Sequence, residues 1–278
     1  MQNLLKILLS LHRFITGEMS TFLFDSIVFG PVKSRRLGVS LGINLLPLNR
    51  KYCNFDCIYC ECGWTPGGSD AKSPLPSRTE VYTALENKLA EMKIRGLVPD
   101  VITFAGNGEP TLHPEFSGIV DDTIELRGRY FPEARIAVLS NSTRIRVPEI
   151  KEALLKVDQN ILKLDSGFDL TVKTHNQPHI KIKVKDLISD LKGFRGHLII
   201  QTLFVRGSHN GFPVDNTTPG EIGTWLKALE MIKPAEVMIY TISRDTPEGN
   251  SLIKVPLADL NSIAEQVRKL GIKTVVSD

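Results

Sequence analysis

Cys53-Asn54-Phe55-Asp56-Cys57-Ile58-Tyr59-Cys60 is a Cys-x3-Cys-x2-Cys run held within one short segment. Three thiolates at this spacing suit a cubane iron–sulfur cluster that has one protein ligand fewer than its four irons. The remaining iron stays open to an outside ligand, which makes such a group a reaction site and not a staple. The chain has four cysteines, and the fourth, Cys62, lies two residues further on. A disulfide framework would spread them to close long loops, so their clustering favours metal binding in a reducing compartment. A zinc knuckle prefers paired Cys-x2-Cys units on separate segments, and four ligands in so short a run are cramped. Cys62 therefore reads as a free thiol beside the cluster.

Outward from this loop, strand-like and helix-like segments alternate at the spacing of repeated βα units. Val39 to Leu45 predicts a strand leading into the cysteines. Ser77 and Glu80 form a capping box ahead of a helix with Val81, Leu85, Leu89 and Met92 on one side. Strands are expected at Val101–Phe104, Arg135–Leu139, Ile161–Leu164, Leu198–Val205 and Val237–Tyr240, with an edge strand at Thr274–Val276. Helices are expected through Ile119 and Ile124, from Ile150 to Val157, and from Ile182 to Phe194. Another follows a second capping box at Thr218 and Glu221, and a last one runs from Leu257 to Leu270, stopped by Gly271. About six βα units result, short of the eight that close a full barrel. The expected fold is α/β, a partial (β/α)6 barrel with a parallel sheet and outer helices.

At 278 residues, 42% hydrophobic and 23% charged, the chain can bury one large core. A formal net charge of +3 permits a nucleic-acid partner without arguing for one. No apolar run approaches the roughly 18–20 residues of a membrane span. Residues 1–18 are apolar but broken by Lys6 and Arg13, and no cleavage site follows. They read as an N-terminal extension, with one domain from Met19 to Asp278 and a cytoplasmic location.

Functional groups of parallel α/β folds gather in the loops after strand C-termini. The cysteines follow the first strand here, Gly106-Asn107-Gly108-Glu109-Pro110 the second, Ser140-Asn141-Ser142-Thr143 the third, and Asp165-Ser166-Gly167 the fourth. Gln201 and Thr202 lie in the fifth strand and Tyr240 to Arg244 closes the sixth. Taken singly, each has a bland reading. Asp165 suits a helix N-cap, His113 before Pro114 a turn, His175 and His179 a solvated loop, and Ser34-Arg35-Arg36 a surface charge pair, with phosphate binding as its alternative.

Cys53-x3-Cys57-x2-Cys60 with Tyr59 before the last cysteine, together with Gly-Asn-Gly-Glu-Pro at 106–110, resembles the radical S-adenosylmethionine (SAM) superfamily. Ser34-Arg35-Arg36-Leu37-Gly38, Cys57 to Gly63 and Gly108 to Pro114 are similar to a subgroup of small single-cluster proteins, which is grouped with the wyosine-forming tRNA-modifying enzymes. The resemblance implies a partial barrel of the radical SAM type, a [4Fe-4S] cluster on Cys53, Cys57 and Cys60, and SAM chelating its open iron. It further implies reductive cleavage of SAM to methionine and a 5′-deoxyadenosyl radical, which takes hydrogen from an unidentified substrate. Carried over by position, Glu109 accepts from the methionine ammonium, Gly106 and Gly108 let the backbone approach, and Tyr59 sits near the adenine. Ser140, Asn141 and Asp165 are candidates for ribose or carboxylate contacts. The family usually has two adjacent glycines before the glutamate; here the first is Asn107. Flavodoxin or ferredoxin is the implied electron donor. A tRNA nucleoside is one implied substrate, although wyosine-forming enzymes use a second cluster for which this chain has no cysteines. A non-catalytic metal-binding module is the alternative from a different class.

Overall fold

The computed structural model describes residues 22–67 and 73–278; the expected extension at 1–18 and the domain start at Met19 lie outside the described residues. Two strands open the described fold, β1 (Val28–Ser34) and β2 (Gly38–Ile43), paired antiparallel. The succession then runs α1 (Arg78–Ile94), β3 (Val101–Phe104), α2 (Phe116–Tyr130), β4 (Arg135–Ser140), α3 (Pro148–Lys156) and β5 (Gln159–Lys163). It continues through α4 (Asp169–His175), α5 (Val184–Lys192), β6 (Ile199–His209), β7 (Phe212–Asp215), α6 (Pro219–Ile232), β8 (Glu236–Thr241), β9 (Leu252–Lys254), α7 (Leu257–Lys269) and β10 (Lys273–Ser277). From β2 to β6, and then through β8 to β10, each strand lies parallel to its neighbour. The sheet order is β1-β2-β3-β4-β5-β6-β8-β10, with β7 and β9 both hung antiparallel on the long β6. The result is a curled half-barrel of mostly parallel strands with helices around it, as the sequence pattern predicts.

Parallel strands covered on both faces read as continuous apolar runs, and Val101-Ile102-Thr103-Phe104 is buried at every position. The helices lay their apolar stripes on the outside of the sheet, Val81, Leu85, Leu89 and Met92 from α1 and Ile222, Trp225 and Leu229 from α6. Inside the curl a second cluster forms. Leu37, carried by the turn between β1 and β2, packs with Val101, Ala137, Ile161, Ile199 and Met238 near the N-terminal ends of the strands. That layer floors the barrel and leaves its C-terminal end open.

The first capping box is complete: Ser77 Oγ accepts from Glu80 N–H while the Glu80 carboxylate takes Ser77 N–H at 2.7 Å. The second is only half formed. Thr218 caps α6, but Glu221 turns its carboxylate to the hydroxyls of Ser166, at 2.6 Å, and Thr171. Two corrections concern the segment after β5. Asp165 is not a helix N-cap, because Phe168 holds that place on α4. His175 is not a loop residue but the buried last residue of the same helix.

Candidate functional site

The cysteine loop is clasped from within by a buried cation. Lys51 Nζ donates to Asp56 Oδ1 at 3.0 Å and to the Gly63 carbonyl at 2.8 Å, so one ammonium ties the start, middle and end of the loop. Asp56 also accepts from Thr65 N–H and hydroxyl, and pairs with His179 Nε2 at 2.8 Å. Burial alone would weaken the Lys51 ammonium, but Cys60, Cys57, Cys53 and Asp56 oppose that and hold its pKa above the ordinary lysine value. Burial pushes the Cys53 thiol up to about 12 and raises Cys57 too, whereas a hydrogen bond from Cys62 draws Cys60 down.

Two of the three sulfurs have N–H donors turned toward them. Phe55 N–H and Asn141 Nδ2 face Cys53 Sγ at 3.4 and 3.6 Å, and Asn176 Nδ2 faces Cys57 Sγ at 3.5 Å. N–H groups aimed at sulfur are the outer partners that hold and tune thiolate ligands. Among the described residues no three His, Cys, Asp or Glu side chains converge on one point as a single-ion site requires. A cubane needs its ligands at separate corners, and one loop of three sulfurs, two of them facing N–H donors, beside a buried cation fits that group.

The loop 105–110 lies directly beneath. Tyr52 N–H donates to the Asn107 carbonyl at 2.7 Å and Glu109 N–H to the Tyr52 carbonyl at 3.1 Å. Its glycines are demanded by the protein itself. A Cβ on Gly108 (φ +141°) would stand 2.0 Å from the Tyr52 carbonyl oxygen, and one on Gly106 2.2 Å from Asn44 Oδ1. Asn107 is fully buried and faces the N-terminal segment: its side chain accepts from Phe24 N–H and donates to the Phe24 and Pro47 carbonyls. The departure from two glycines is thus a tie that fastens residues 24 and 47 to the loop.

Glu109 is 2% exposed and accepts four bonds. Oε1 takes Thr111 N–H at 3.1 Å, Thr111 Oγ1 at 2.5 Å and Ser140 Oγ at 2.8 Å, and Oε2 takes Asn141 N–H at 2.5 Å. Burial raises its pKa while these donors pull the other way. Ser140 and Asn141 therefore hold the carboxylate in place.

A cavity of about 240 Å³ gathers Cys53, Cys57, Tyr59, Cys60, Gly106, Gly108, Glu109, Ser140 and Asn141 on one wall system, joined by Arg36, Lys51, Cys62, Lys163, Gln201 and Tyr240. Cys62 Sγ lies 3.7 Å from the Gly106 carbonyl. Asp165 is not among the lining residues. It is buried behind Tyr59, accepting the Tyr59 hydroxyl, Asn176 Nδ2 at 2.7 Å and Lys163 Nζ at 3.3 Å, with Leu203 N–H on Oδ1. Burial and the Asp165 carboxylate push the Tyr59 phenol well up. Lys51, Lys163 and Asn176 are missed by sequence reading. Lys163, a charge ending the apolar run Ile161-Leu162, was the legible signal for one of them. Arg36 is not a surface pair: its guanidinium lies over the Tyr240 ring and lines the cavity.

A half-barrel whose first loop after a parallel strand presents three cysteines above a glycine–glutamate loop defines a class of α/β proteins with their site at the C-terminal ends of the strands. The model of the Radical SAM superfamily matches residues 51–207, more than half of the chain, and the chain belongs to that superfamily. A UPF0026 protein of Methanocaldococcus jannaschii is 32% identical over 184 residues, 65% of this chain and 54% of its own length. The chain thus spans about half of that relative. A radical SAM methyltransferase from Sphaerobacter thermophilus superposes with TM-score 0.63 at 12% identity, over 86% of this chain and 65% of that one. TYW1 with a lysine-pyruvate adduct bound gives TM-score 0.55 at 12% identity, over 83% and 73%. At such identities the likeness shows the fold. No helix among the described residues is long and apolar enough to cross a membrane.

Proposed function

We propose that this chain is a radical SAM enzyme in which Cys53, Cys57 and Cys60 hold a [4Fe-4S] cluster and the adjoining cavity binds SAM. The observation that carries this reading is that three cysteines of one loop and the buried Glu109 carboxylate line the same cavity at the C-terminal ends of β2, β3 and β4. The cluster and SAM together supply one-electron cleavage of the sulfonium and abstraction of a substrate hydrogen. The chain supplies the setting. Lys51 offsets negative charge at the sulfurs from a water-poor position. Glu109, fixed by Thr111, Ser140 and Asn141, presents a carboxylate to the ammonium of SAM, on a loop that Gly106 and Gly108 allow to close against Asn44 and Tyr52. Tyr59, held by Asp165 and Asn176, offers a rigid aromatic surface for the adenine, and the apolar layer around Leu37 closes the barrel below the cavity.

The substrate stays outside this assignment. A tRNA nucleoside is a narrower reading that the shared fold with TYW1 accommodates, with a flavodoxin or ferredoxin as electron donor and the cytoplasm as location. Anaerobic reconstitution with iron and sulfide tests the main proposal: about four irons and four sulfides per chain, and 5′-deoxyadenosine on adding dithionite and SAM, are expected. A protein that binds one zinc and no sulfide is instead a metal-binding module, and the proposal fails.

A further inference from the structure

Arg36 reaches the cavity from the side opposite the cysteines. It sits in the turn between β1 and β2, where Ser34 Oγ accepts from both Arg36 and Leu37 N–H and fixes the two side chains. Leu37 plugs the barrel floor. Arg36, one residue earlier, extends to Gln201 Oε1 at 3.0 Å and stacks 4.4 Å over Tyr240. Among the described residues no carboxylate forms an ion pair with Arg36. Among the described residues only Gln201 accepts from its five side-chain N–H donors. Gln201 has committed its carbonyl to Arg36, which leaves the amide N–H2 as a further donor, and Tyr240 lines the same space. The other two cations of the cavity are already matched, Lys51 by Asp56 and Lys163 by Asp165. Among the described lining residues Glu109 is the single carboxylate, and it is held on the cysteine side by Thr111, Ser140 and Asn141, with only Asn141 N–H on Oε2.

We infer that Arg36, Gln201 and Tyr240 form an anion receptor on the floor of the cavity, which selects a substrate carrying a carboxylate or phosphate group. The inference deepens the radical SAM reading and rests on it for calling the ligand a substrate. A planar guanidinium backed by an amide donor recognises either oxyanion through paired charge-assisted bonds. Held there, the anionic end anchors the substrate and leaves its remaining atoms toward the cysteine side.

The test uses the full chain with its cluster reconstituted, and measures the rise in Tm with added acetate or inorganic phosphate at constant ionic strength, against chloride. The unsubstituted protein is expected to respond saturably to one oxyanion, and which one it prefers decides between carboxylate and phosphate. Arg36→Gln is expected to weaken that apparent affinity about tenfold or more, the value of a charge-assisted hydrogen bond. Gln201→Glu, which pairs the guanidinium internally, is expected to weaken it similarly with the fold intact, and decides the matter if Arg36→Gln fails to fold. Lys227→Gln, on the exposed face of α6, should leave the response unchanged. An equal response in Gln201→Glu and the unsubstituted chain, or none to either oxyanion in the latter, overturns the receptor. Iron content and SAM cleavage without substrate, read on the same samples, report the cofactor half separately.

Discussion

Lys51 Nζ lies 3.0 Å from Asp56 Oδ1 inside the loop that carries the three cysteines, with the lysine side chain 1% and the aspartate 17% exposed. The pair closes the loop through protein groups alone, because Lys51 also holds the Gly63 carbonyl. Asp56 would keep Thr65 and His179, so removing the lysine is expected to cost about 1–3 kcal/mol, less than stranding a fully buried charge. Lys51→Met should therefore lower the denaturant midpoint and reduce reconstituted iron below half of the unsubstituted level. Iron analysis beside a urea titration checks both. Full cluster loading in a destabilised Lys51→Met protein would confine the residue to holding the loop.

Asp165 and Tyr59 give a graded prediction. Tyr59→Phe deletes a hydroxyl whose three partners keep other bonds: Asp165 retains Lys163, Asn176 and Leu203 N–H. The expected loss is about 1 kcal/mol, that of an ordinary hydrogen bond, with cluster content unchanged. Asp165→Ala instead strands the buried Lys163 ammonium, and a loss of about 3–5 kcal/mol is expected. Denaturant titrations of the two variants should fall in that order, and equal losses would show that Asp165 does not serve as the counter-charge of Lys163.

The parallel strands were legible in the sequence because each is a short apolar run bounded by turn residues, and β3 matches its expected limits residue for residue. The strand β1 was not legible. It is half-buried at most positions and contains Pro31, so neither alternation nor an apolar run marks it. The seven-residue α4 hid for a related reason, having no side-chain cap and too few turns to show a period. At the site, cysteine and glycine spacing announced the wall of the cavity, since those residues are local in sequence. Arg36 could not be placed that way: its meaning comes from contacts with Gln201 and Tyr240, which only the closing curl of the sheet brings near.

Asn107 stands where the family usually has glycine, and its side chain makes a bond to Phe24 N–H at 2.8 Å and bonds to the Phe24 and Pro47 carbonyls at 2.9 and 2.8 Å. Asn107→Gly would restore the usual pair and leave those backbone groups without their partner. A stability loss of about 2–3 kcal/mol is expected from the unmet bonds. SAM cleavage by protein that remains folded at low temperature should change less than twofold, because the side chain faces away from the cavity. A large fall in cleavage with unaltered Tm would place Asn107 in SAM binding instead.

Glu109→Gln probes the charge without removing the shape. Oε1 already accepts three donors and Oε2 accepts Asn141 N–H at 2.5 Å, so every bond runs toward the carboxylate. A glutamine keeps one acceptor and must turn an N–H2 toward donors, whichever way its amide is flipped. The misfit of one buried donor against another is expected to cost about 1–3 kcal/mol of stability. The lost negative charge removes the counter-ion proposed for the ammonium of SAM, so SAM affinity should fall about tenfold or more. The two effects separate experimentally. Tm without SAM reads the first, and equilibrium dialysis of SAM against cluster-loaded protein at low temperature reads the second. Unaltered SAM binding with a lowered Tm would reduce Glu109 to a tie between the loops after β3 and β4.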